Sequence, residues 1–115
     1  MDARRRRLFL KAGVLKALAD PVRLDIMELL RGGEKCVCEI VASTNVAQPL
    51  VSRHLKILKE RGIIRSRNEK NRRYYFITDD RVCRVLDCLD REVLTSLSKA
   101  IAHHSSITVA EEIYS

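Results

Sequence analysis

The stretch that decides the fold is QPLVSRHLKILKERG, residues 48–62, which has the pattern of one amphipathic helix. Its apolar side chains, at positions 50, 51, 55, 57 and 58, recur with helical spacing. Proline is tolerated in the first turn of a helix, and Gly62 favours a stop at the other end. The stretch therefore predicts a helix from Gln48 to Arg61.

Three more helices are predicted before this one. Apolar positions recur with helical spacing over residues 4–18. Asp20-Pro21 is typical of an N-cap followed by proline at the first helical position, and the helix that it opens ends at the glycine pair 32–33. A short helix over residues 37–43 and a tight turn at residues 44–46 complete this half of the chain.

After residue 62 the apolar pattern changes from helical to alternating. Residues 63–67 and 73–77 are predicted as two strands joined by a loop through residues 68–71. Asp79-Asp80 then caps a long final helix, and the tail from residue 105 has no clear pattern. The apolar stripe of that helix has nearly heptad spacing: Val82, Leu86, Leu89, Val93, Leu97 and Ile101.

The order of these elements is α-α-α-α-β-β-α, mainly α with a small β-hairpin. Two helices joined by a short turn and followed by an arginine-rich hairpin predict a winged helix-turn-helix. A chain of 115 residues fits a single domain, residues 1–115, and a core this small often needs a partner chain to cover its apolar surface.

Basic charge is concentrated on the turn motif and the hairpin. The whole chain has a formal net charge of +7, and residues 48–76 alone, with nine basic and two acidic side chains, hold the same excess. A solvated helix face would normally mix both signs, so this segment predicts a surface for nucleic acid. Aromatic residues make up only 4% of the chain and tryptophan is absent, which argues against a stacking platform for single strands.

The helix from Gln48 is predicted to enter the major groove of double-stranded DNA, with the hairpin along the phosphates. Gln48 can pair with adenine, Arg53 with guanine, and Ser52 with a base or a phosphate, and His54 lies beside them. The remaining basic side chains are predicted to contact phosphates, which position the protein without reading the base sequence: Lys56, Lys59, Arg65, Arg67, Lys70, Arg72 and Arg73. The alternative is a helical hairpin whose basic surface has no partner.

Neither a membrane span nor a signal peptide is predicted. No apolar run approaches the roughly 18 residues that a span needs, and Lys11, Lys16 and Asp20 interrupt the region behind the N-terminal arginines. We therefore expect a cytoplasmic protein. In that compartment the four cysteines are expected as reduced thiols, available for metal or redox chemistry.

Cys36 and Cys38 lie at the predicted start of the short helix. A helix N-terminus lowers the pKa of a thiol and so favours the thiolate that binds a soft ion. Residues two apart on a finished helix point about 200° apart, so the pair can share an ion only in a frayed first turn. Binding would then distort the helix start that supports the DNA-reading helix. Two small buried residues without a ligand are an equally good interpretation of the spacing.

Three motifs together resemble the ArsR/SmtB family of metal-sensing repressors: LADPVRL at 18–24, CVCEI at 36–40 and QPLVSRHLKIL at 48–58. The likeness runs from about residue 10 to residue 90, and the CVC motif is that of the arsenic-responsive branch. The resemblance implies a homodimer, joined through its first and last helices, that represses transcription when empty. It also implies release from operator DNA on binding As(III) or Sb(III), with Cd, Pb and Hg as further candidate inducers.

The sequence departs from the arsenic-responsive pattern at one position. Many members have a third cysteine three residues after the second, and Val41 stands there in this chain. The third ligand is therefore open to Cys83, Cys88, a water or an exogenous thiol. Cys83 falls at the edge of the apolar stripe and is expected in the core, whereas Cys88 is expected at the surface; a second metal site or a redox pair is a further alternative.

The sequence also departs from the zinc-sensing branch. The positions that match its ligand set hold no imidazole, so a zinc site of that kind is not expected: Asp79, Arg81, Glu92 and Thr95. His103-His104 lies farther along and is expected as a pair of solvated tail histidines.

Three functions compete at this point. They are an arsenite- or antimonite-responsive repressor, a thiol-based redox or sulfur-species sensor on the same fold, and a DNA-binding protein with structural cysteines. An enzyme is not expected, because no Ser-His-Asp set, paired carboxylates or glycine-rich phosphate loop stands out.

Overall fold

The computed structural model describes residues 1–104 of the chain. The side chain of His104 and the tail from residue 105 lie outside the described residues, so the prediction for that histidine is not addressed. In chain order the elements are α1 (Ala3–Leu18), α2 (Pro21–Arg31), β1 (Lys35–Cys36), α3 (Val37–Thr44), α4 (Gln48–Glu60), β2 (Ile64–Glu69), β3 (Arg72–Ile77), α5 (Arg81–Asp87) and α6 (Arg91–His104). They form two compact units, residues 1–80 and the segment that begins at Arg81.

Capping side chains set the starts of the first two helices. At α1 the carboxylate of Asp2 accepts the backbone N–H of Arg5 at 2.7 Å. At α2 the carboxylate of Asp20 accepts two N–H groups, those of Val22 and Arg23, at 2.9 and 3.1 Å. Each bond satisfies an N–H that has no partner inside the helix, and the second cap is the one that the Asp-Pro pair predicts.

A left-handed residue joins α3 to α4. Asn45 has φ 57°, a conformation that asparagine tolerates better than most residues, and its N–H bonds to the carbonyl of Val41 at 2.9 Å. The chain therefore turns within three residues into α4. The two helices pack with α2 and β2 around a core of side chains with almost no solvent exposure: Ile26, Met27, Ile40, Val51, Leu55, Leu58 and Ile64.

The sheet has three antiparallel strands in the order β1-β3-β2. The hairpin β2–β3, called the wing from here on, pairs residues from Ile64 with Ile77 to Glu69 with Arg72. Lys70 and Asn71 have φ 49° and 68° and form the two-residue turn that a right-twisted hairpin favours. The loop predicted over residues 68–71 is therefore too long, since ladder pairing continues to the turn.

Strand β1 is absent from the sequence prediction. Lys35 pairs with Tyr75 and Cys36 with Tyr74, so the chain just before α3 joins the edge of the wing. A strand of two residues is too short to show an alternating pattern. The pairing places one of the candidate thiols directly beside the wing.

The prediction of one long final helix is wrong, because α5 ends at Asp87 and α6 begins at Arg91. The carboxylate of Asp90 accepts the N–H of Val93 at 3.0 Å, which is the bonding pattern of an N-cap. Capping residues hold an extended backbone and so interrupt a helix. The apolar stripe is thereby divided between two helices. None of the described helices is long and apolar enough to cross a membrane.

Candidate nucleic-acid interface and thiol site

Helix α4 presents a polar face to solvent. Val51, Leu55 and Leu58 are fully buried, and because they repeat at intervals of three and four they fix which side of the helix faces the core. The side chains predicted to read or hold DNA lie on the other side and are exposed: Gln48, Ser52, Arg53, Lys56 and Lys59. Each of the five is therefore open to a ligand, which the sequence prediction requires of them.

His54 departs from the predicted set. It is only 8% exposed, and its Nδ1 lies 3.1 Å from a guanidinium nitrogen of Arg23 and 3.9 Å from the carboxylate of Asp20. A guanidinium can only donate, so Nδ1 accepts and the ring proton sits on Nε2. The prediction that His54 contacts DNA is corrected on this ground. Its position three residues after Val51, on the buried face of the helix, was the signal that could have shown this.

Arg23 joins three helices around that histidine. Its guanidinium also donates to the carbonyls of Ala17 and Lys16, at the end of α1. The backbone N–H of Arg23 bonds to the carboxylate of Asp20 and is the largest cause that lowers the pKa of this carboxyl. The orientation of α4 is thus tied to the junction between α1 and α2, a role of Arg23 that the sequence analysis did not find.

All five basic side chains of the wing are exposed, as a phosphate-binding surface requires. They are Arg65, Arg67, Lys70, Arg72 and Arg73. Arg65 lies over the ring of Phe76, with 5.7 Å from its guanidinium carbon to the ring centre, and Arg73 donates to the side-chain oxygen of Asn68 at 3.3 Å. Both contacts hold a charged head close to the strand.

Arg67 is engaged within the protein. Its Nε donates to Oε2 of Glu34 at 2.9 Å, its Nη2 contacts Oε1 of the same carboxylate, and its Nη1 donates to Glu69 at 3.0 Å. These hydrogen bonds hold the pKa of Glu34 below its ordinary value and that of Arg67 above its own. Two carboxylates therefore face the charge that the sequence analysis assigned to a phosphate.

Cys36 and Cys38 are brought together as the sequence analysis requires for a shared ligand. Cys36 is the N-cap of α3, with extended backbone angles of −83° and 166°, so it lies outside the helix that contains Cys38. Their Cα atoms are 5.5 Å apart and the structure joins the two sulfurs as a disulfide. The two sulfurs therefore lie close enough to bond to each other or to share a ligand. Cys36 is 3% exposed, whereas Cys38 is open to solvent.

Glu39 holds the start of α3 beside the two cysteines. Its carboxylate accepts the backbone N–H of Cys36 at 3.1 Å, which satisfies one donor at the helix start. The thiol pair is therefore joined to the cap of α3 and, through the pairing of β1 with β3, to the edge of the wing.

The second unit holds the other two cysteines, and both lie as expected. Cys83 is 3% exposed, and Cys88 is exposed with its Sγ 3.4 Å from the carbonyl of Arg84. His103 is exposed. Among the side chains that the structure describes, no three histidine, cysteine, aspartate or glutamate residues are grouped as a metal site.

Comparison with known proteins matches this chain to a family. Residues 20–66 match the model described as bacterial regulatory protein, arsR family. The chain is 42% identical over 80 residues to an uncharacterized HTH-type transcriptional regulator, MJ1325, of Methanocaldococcus jannaschii, which covers 69% of this chain and 90% of that protein. It is 37% identical over 62 residues to the arsenical resistance operon repressor of Staphylococcus xylosus, covering 54% of this chain and 60% of that one.

A solved structure confirms the fold. The homodimeric winged helix-turn-helix DNA-binding domain of Mb0332 from Mycobacterium bovis, solved by NMR, is similar with a TM-score of 0.69 and 30% identity. The similarity covers 91% of this chain and 93% of that one. These similar proteins are transcriptional regulators, which confirms both the winged helix-turn-helix prediction and the expectation that the chain is no enzyme.

Proposed function

This chain belongs to the ArsR/SmtB family of transcriptional regulators, and on that premise we propose that it is a metalloregulatory repressor induced through Cys36 and Cys38. In the proposed cycle a homodimer binds operator DNA in the cytoplasm and represses transcription. A soft ion, As(III) or Sb(III), then binds the two thiolates and lowers the affinity for DNA. Cd, Pb and Hg are the other candidate inducers.

The proposed DNA contacts come from the exposed face of α4 and from the wing. Gln48, Ser52 and Arg53 are assigned to base edges because they lie in the first turns of the helix, and helices of this kind read bases there. The other exposed basic residues are assigned to phosphates: Lys56, Lys59, Arg65, Lys70, Arg72 and Arg73. We do not include Arg67 among the proposed contacts, because two carboxylates already face its charge. We do not include His54, because its side chain is buried.

The homodimer is proposed to form through the first and last helices. Large apolar side chains are exposed on α1, and a second series is exposed from the end of α5 to α6: Leu8, Phe9, Leu10 and Leu15, then Leu89, Val93, Leu97 and Ile101. Large exposed apolar patches mark interaction surfaces in soluble proteins. The homodimeric state of the similar mycobacterial domain supports the assignment.

The observation that carries the inducer site is the extended backbone of Cys36 next to the helical Cys38. It places two soft sulfur donors together while the helix stays intact. The fraying of the first turn, which the sequence analysis required for a shared ion, is therefore not needed. The disulfide must first accept two electrons and two protons from two molecules of a cellular thiol, which are oxidised to a disulfide with each other. The two thiols can then each replace a hydroxyl group of arsenous acid, with release of two waters. The third ligand of the arsenic atom is proposed to be Cys83, Cys88, a water or an exogenous thiol. Of the two cysteines, Cys88 is the more accessible to solvent.

A second candidate function is a thiol-based redox or sulfur-species sensor. The disulfide between Cys36 and Cys38 favours it, because the oxidised pair constrains the same helix start that an ion would. In this version an oxidant removes two electrons and two protons from the thiols, and the resulting disulfide lowers the affinity for DNA.

One titration separates these candidates. An operator is first selected from random duplexes by the protein, and its binding is followed by fluorescence anisotropy under fully reducing conditions. Addition of As(III), Sb(III), Cd, Pb or Hg should release the DNA if the protein is a metal sensor. Release by a thiol oxidant alone, with no response to any of these ions, would favour the redox sensor.

A further inference from the structure

An ion pair links the thiol segment to the middle of the wing. Glu34 lies two residues before Cys36, and its two carboxylate oxygens face Nε and Nη2 of Arg67 on β2. This fork-to-fork arrangement is the strongest geometry that an arginine and a carboxylate can adopt. The two side chains are 37% and 43% exposed, so the pair lies at the surface of the protein.

Backbone pairing runs through the same place. Cys36 pairs with Tyr74 on β3, and Tyr74 pairs with Arg67 on β2, so the three residues lie in one row across the sheet. The guanidinium of Arg67 also lies over the ring of Tyr74, 5.0 Å from its centre. A shift of Cys36 along the strand direction therefore acts on Tyr74 through the backbone and on Arg67 through Glu34.

We infer that Glu34 and Arg67 transmit the state of the Cys36–Cys38 pair to the wing, so that Arg67 positions the wing and does not bind a phosphate. The inference rests on the proposed function, because it describes how that function's thiol site acts on DNA binding. The Glu34–Arg67 pair, called the sensor–wing link below, adds a second route to the one through α3 and α4.

Glu69 provides a matched control. It also bonds to Arg67, at 3.0 Å, but it lies on β2 itself, so its bond stays within the wing. Glu34→Gln and Glu69→Gln each remove one negative charge beside the same guanidinium, to which Glu34 makes two hydrogen bonds and Glu69 makes one. Any effect of charge alone on DNA binding should therefore appear in both variants, whereas loss of transmission should appear only in the first.

The link itself is tested without DNA or metal. NMR spectra of the full-length protein are recorded with Cys36–Cys38 as the disulfide and after reduction by dithiothreitol, which passes two electrons and two protons to the pair and closes to its own cyclic disulfide. We expect the Nε–Hε resonance of Arg67 to move between the two states in the wild type and in Glu69→Gln, and to stay in place in Glu34→Gln. An Arg67 resonance that does not move in the wild type, or that moves equally in both variants, would overturn the inference.

The consequence for DNA is measured as the ratio of operator dissociation constants with and without As(III), under reducing conditions. An exposed ion pair contributes little free energy, so Glu34→Gln should reduce this ratio about 2- to 5-fold. Glu69→Gln should leave the ratio unchanged. If the ratio of dissociation constants with and without As(III) is the same in both variants, the sensor–wing link does not contribute to DNA release. If As(III) has no effect on the wild type while the Arg67 resonance still follows the thiol state, the proposed inducer is wrong and the link stands.

Discussion

Nδ1 of His54 lies 3.1 Å from the guanidinium of Arg23, which ties helix α4 to α2 through a side chain that the sequence analysis predicted as a DNA contact. The same guanidinium donates to the carbonyl of Ala17 at the end of α1. A single partly buried arginine thus contacts three helices, and the face of α4 that we propose to read DNA is oriented from its buried side.

Removal of this histidine should therefore cost stability. In His54→Ala the guanidinium of Arg23 loses a buried acceptor, and we expect the free energy of unfolding to fall by about 1–3 kcal/mol. Urea denaturation at neutral pH measures the change. Arg53→Ala, at the exposed neighbouring position, should alter stability by less than about 0.5 kcal/mol. Equal losses in the two variants would contradict the role assigned to His54.

The cap of α2 should make stability depend on acid pH. The pKa of Asp20 is lowered in the folded chain, chiefly by the backbone hydrogen bond from Arg23, so the folded state prefers the ionised carboxylate. Its contribution is complete above the ordinary carboxyl range, near about pH 4, and is lost as pH falls below that range. Asp20→Asn keeps a capping group without the ionisation. The melting temperature of the wild type should fall more steeply than that of the variant between about pH 5 and pH 3, and parallel curves would contradict this account.

Patterns within a few neighbouring residues were enough to predict most helices and the turn, but they did not reveal the break in the last helix. The Asp20-Pro21 cap, the left-handed turn at Asn45 and the helix from Gln48 each depend on residues within one turn of each other, so a sequence pattern contains them. The break between α5 and α6 was hidden because Asp90 falls between two stripe positions and leaves the heptad spacing intact.

In the candidate site, too, some features follow from residue spacing and others depend on contacts between distant residues. Exposed positions on α4 follow from helical periodicity, and the adjacency of Cys36 and Cys38 follows from their spacing once a helix start is placed between them. The ion pair between Glu34 and Arg67 joins residues 33 positions apart, and β1 has only two residues. Neither leaves a periodic pattern, so the sequence analysis assigned Arg67 by its charge alone.

DNA binding should depend steeply on salt. If the dimer neutralises roughly 6–10 phosphates, operator affinity should fall on the order of 10³- to 10⁵-fold between about 50 and 200 mM salt. Arg72→Ala with Arg73→Ala should weaken every duplex alike, whereas Arg53→Ala should also reduce discrimination between operator and random DNA. Anisotropy titrations at several salt concentrations measure both effects. An affinity independent of salt would contradict the assignment of the wing to phosphates.

The apolar surface of α6 should control dimerisation. Leu97 is 52% exposed, and Leu97→Glu places a charge on the surface proposed as the interface. Sedimentation at micromolar concentration should show a dimer for the wild type and a monomer for this variant, with loss of binding to an operator whose half-sites lie about 34 Å apart. Leu24→Glu, at an exposed leucine of α2 outside that surface, should remain dimeric. A dimeric Leu97→Glu variant would contradict the proposed interface.

The central claim is that Cys36 and Cys38 bind the inducer, and release of operator by As(III) in cysteine variants tests it most directly. Titration of reduced wild type should weaken operator binding about 5- to 150-fold. Cys36→Ser and Cys38→Ser should bind DNA nearly as the wild type does, because serine has almost the same size and also caps a helix, yet they should not release it. Cys83→Ser and Cys88→Ser serve as controls, and the one that supplies a third ligand should respond only at a higher ion concentration. Release of the Cys36→Ser and Cys38→Ser variants at the As(III) concentration that releases the wild type would contradict the account.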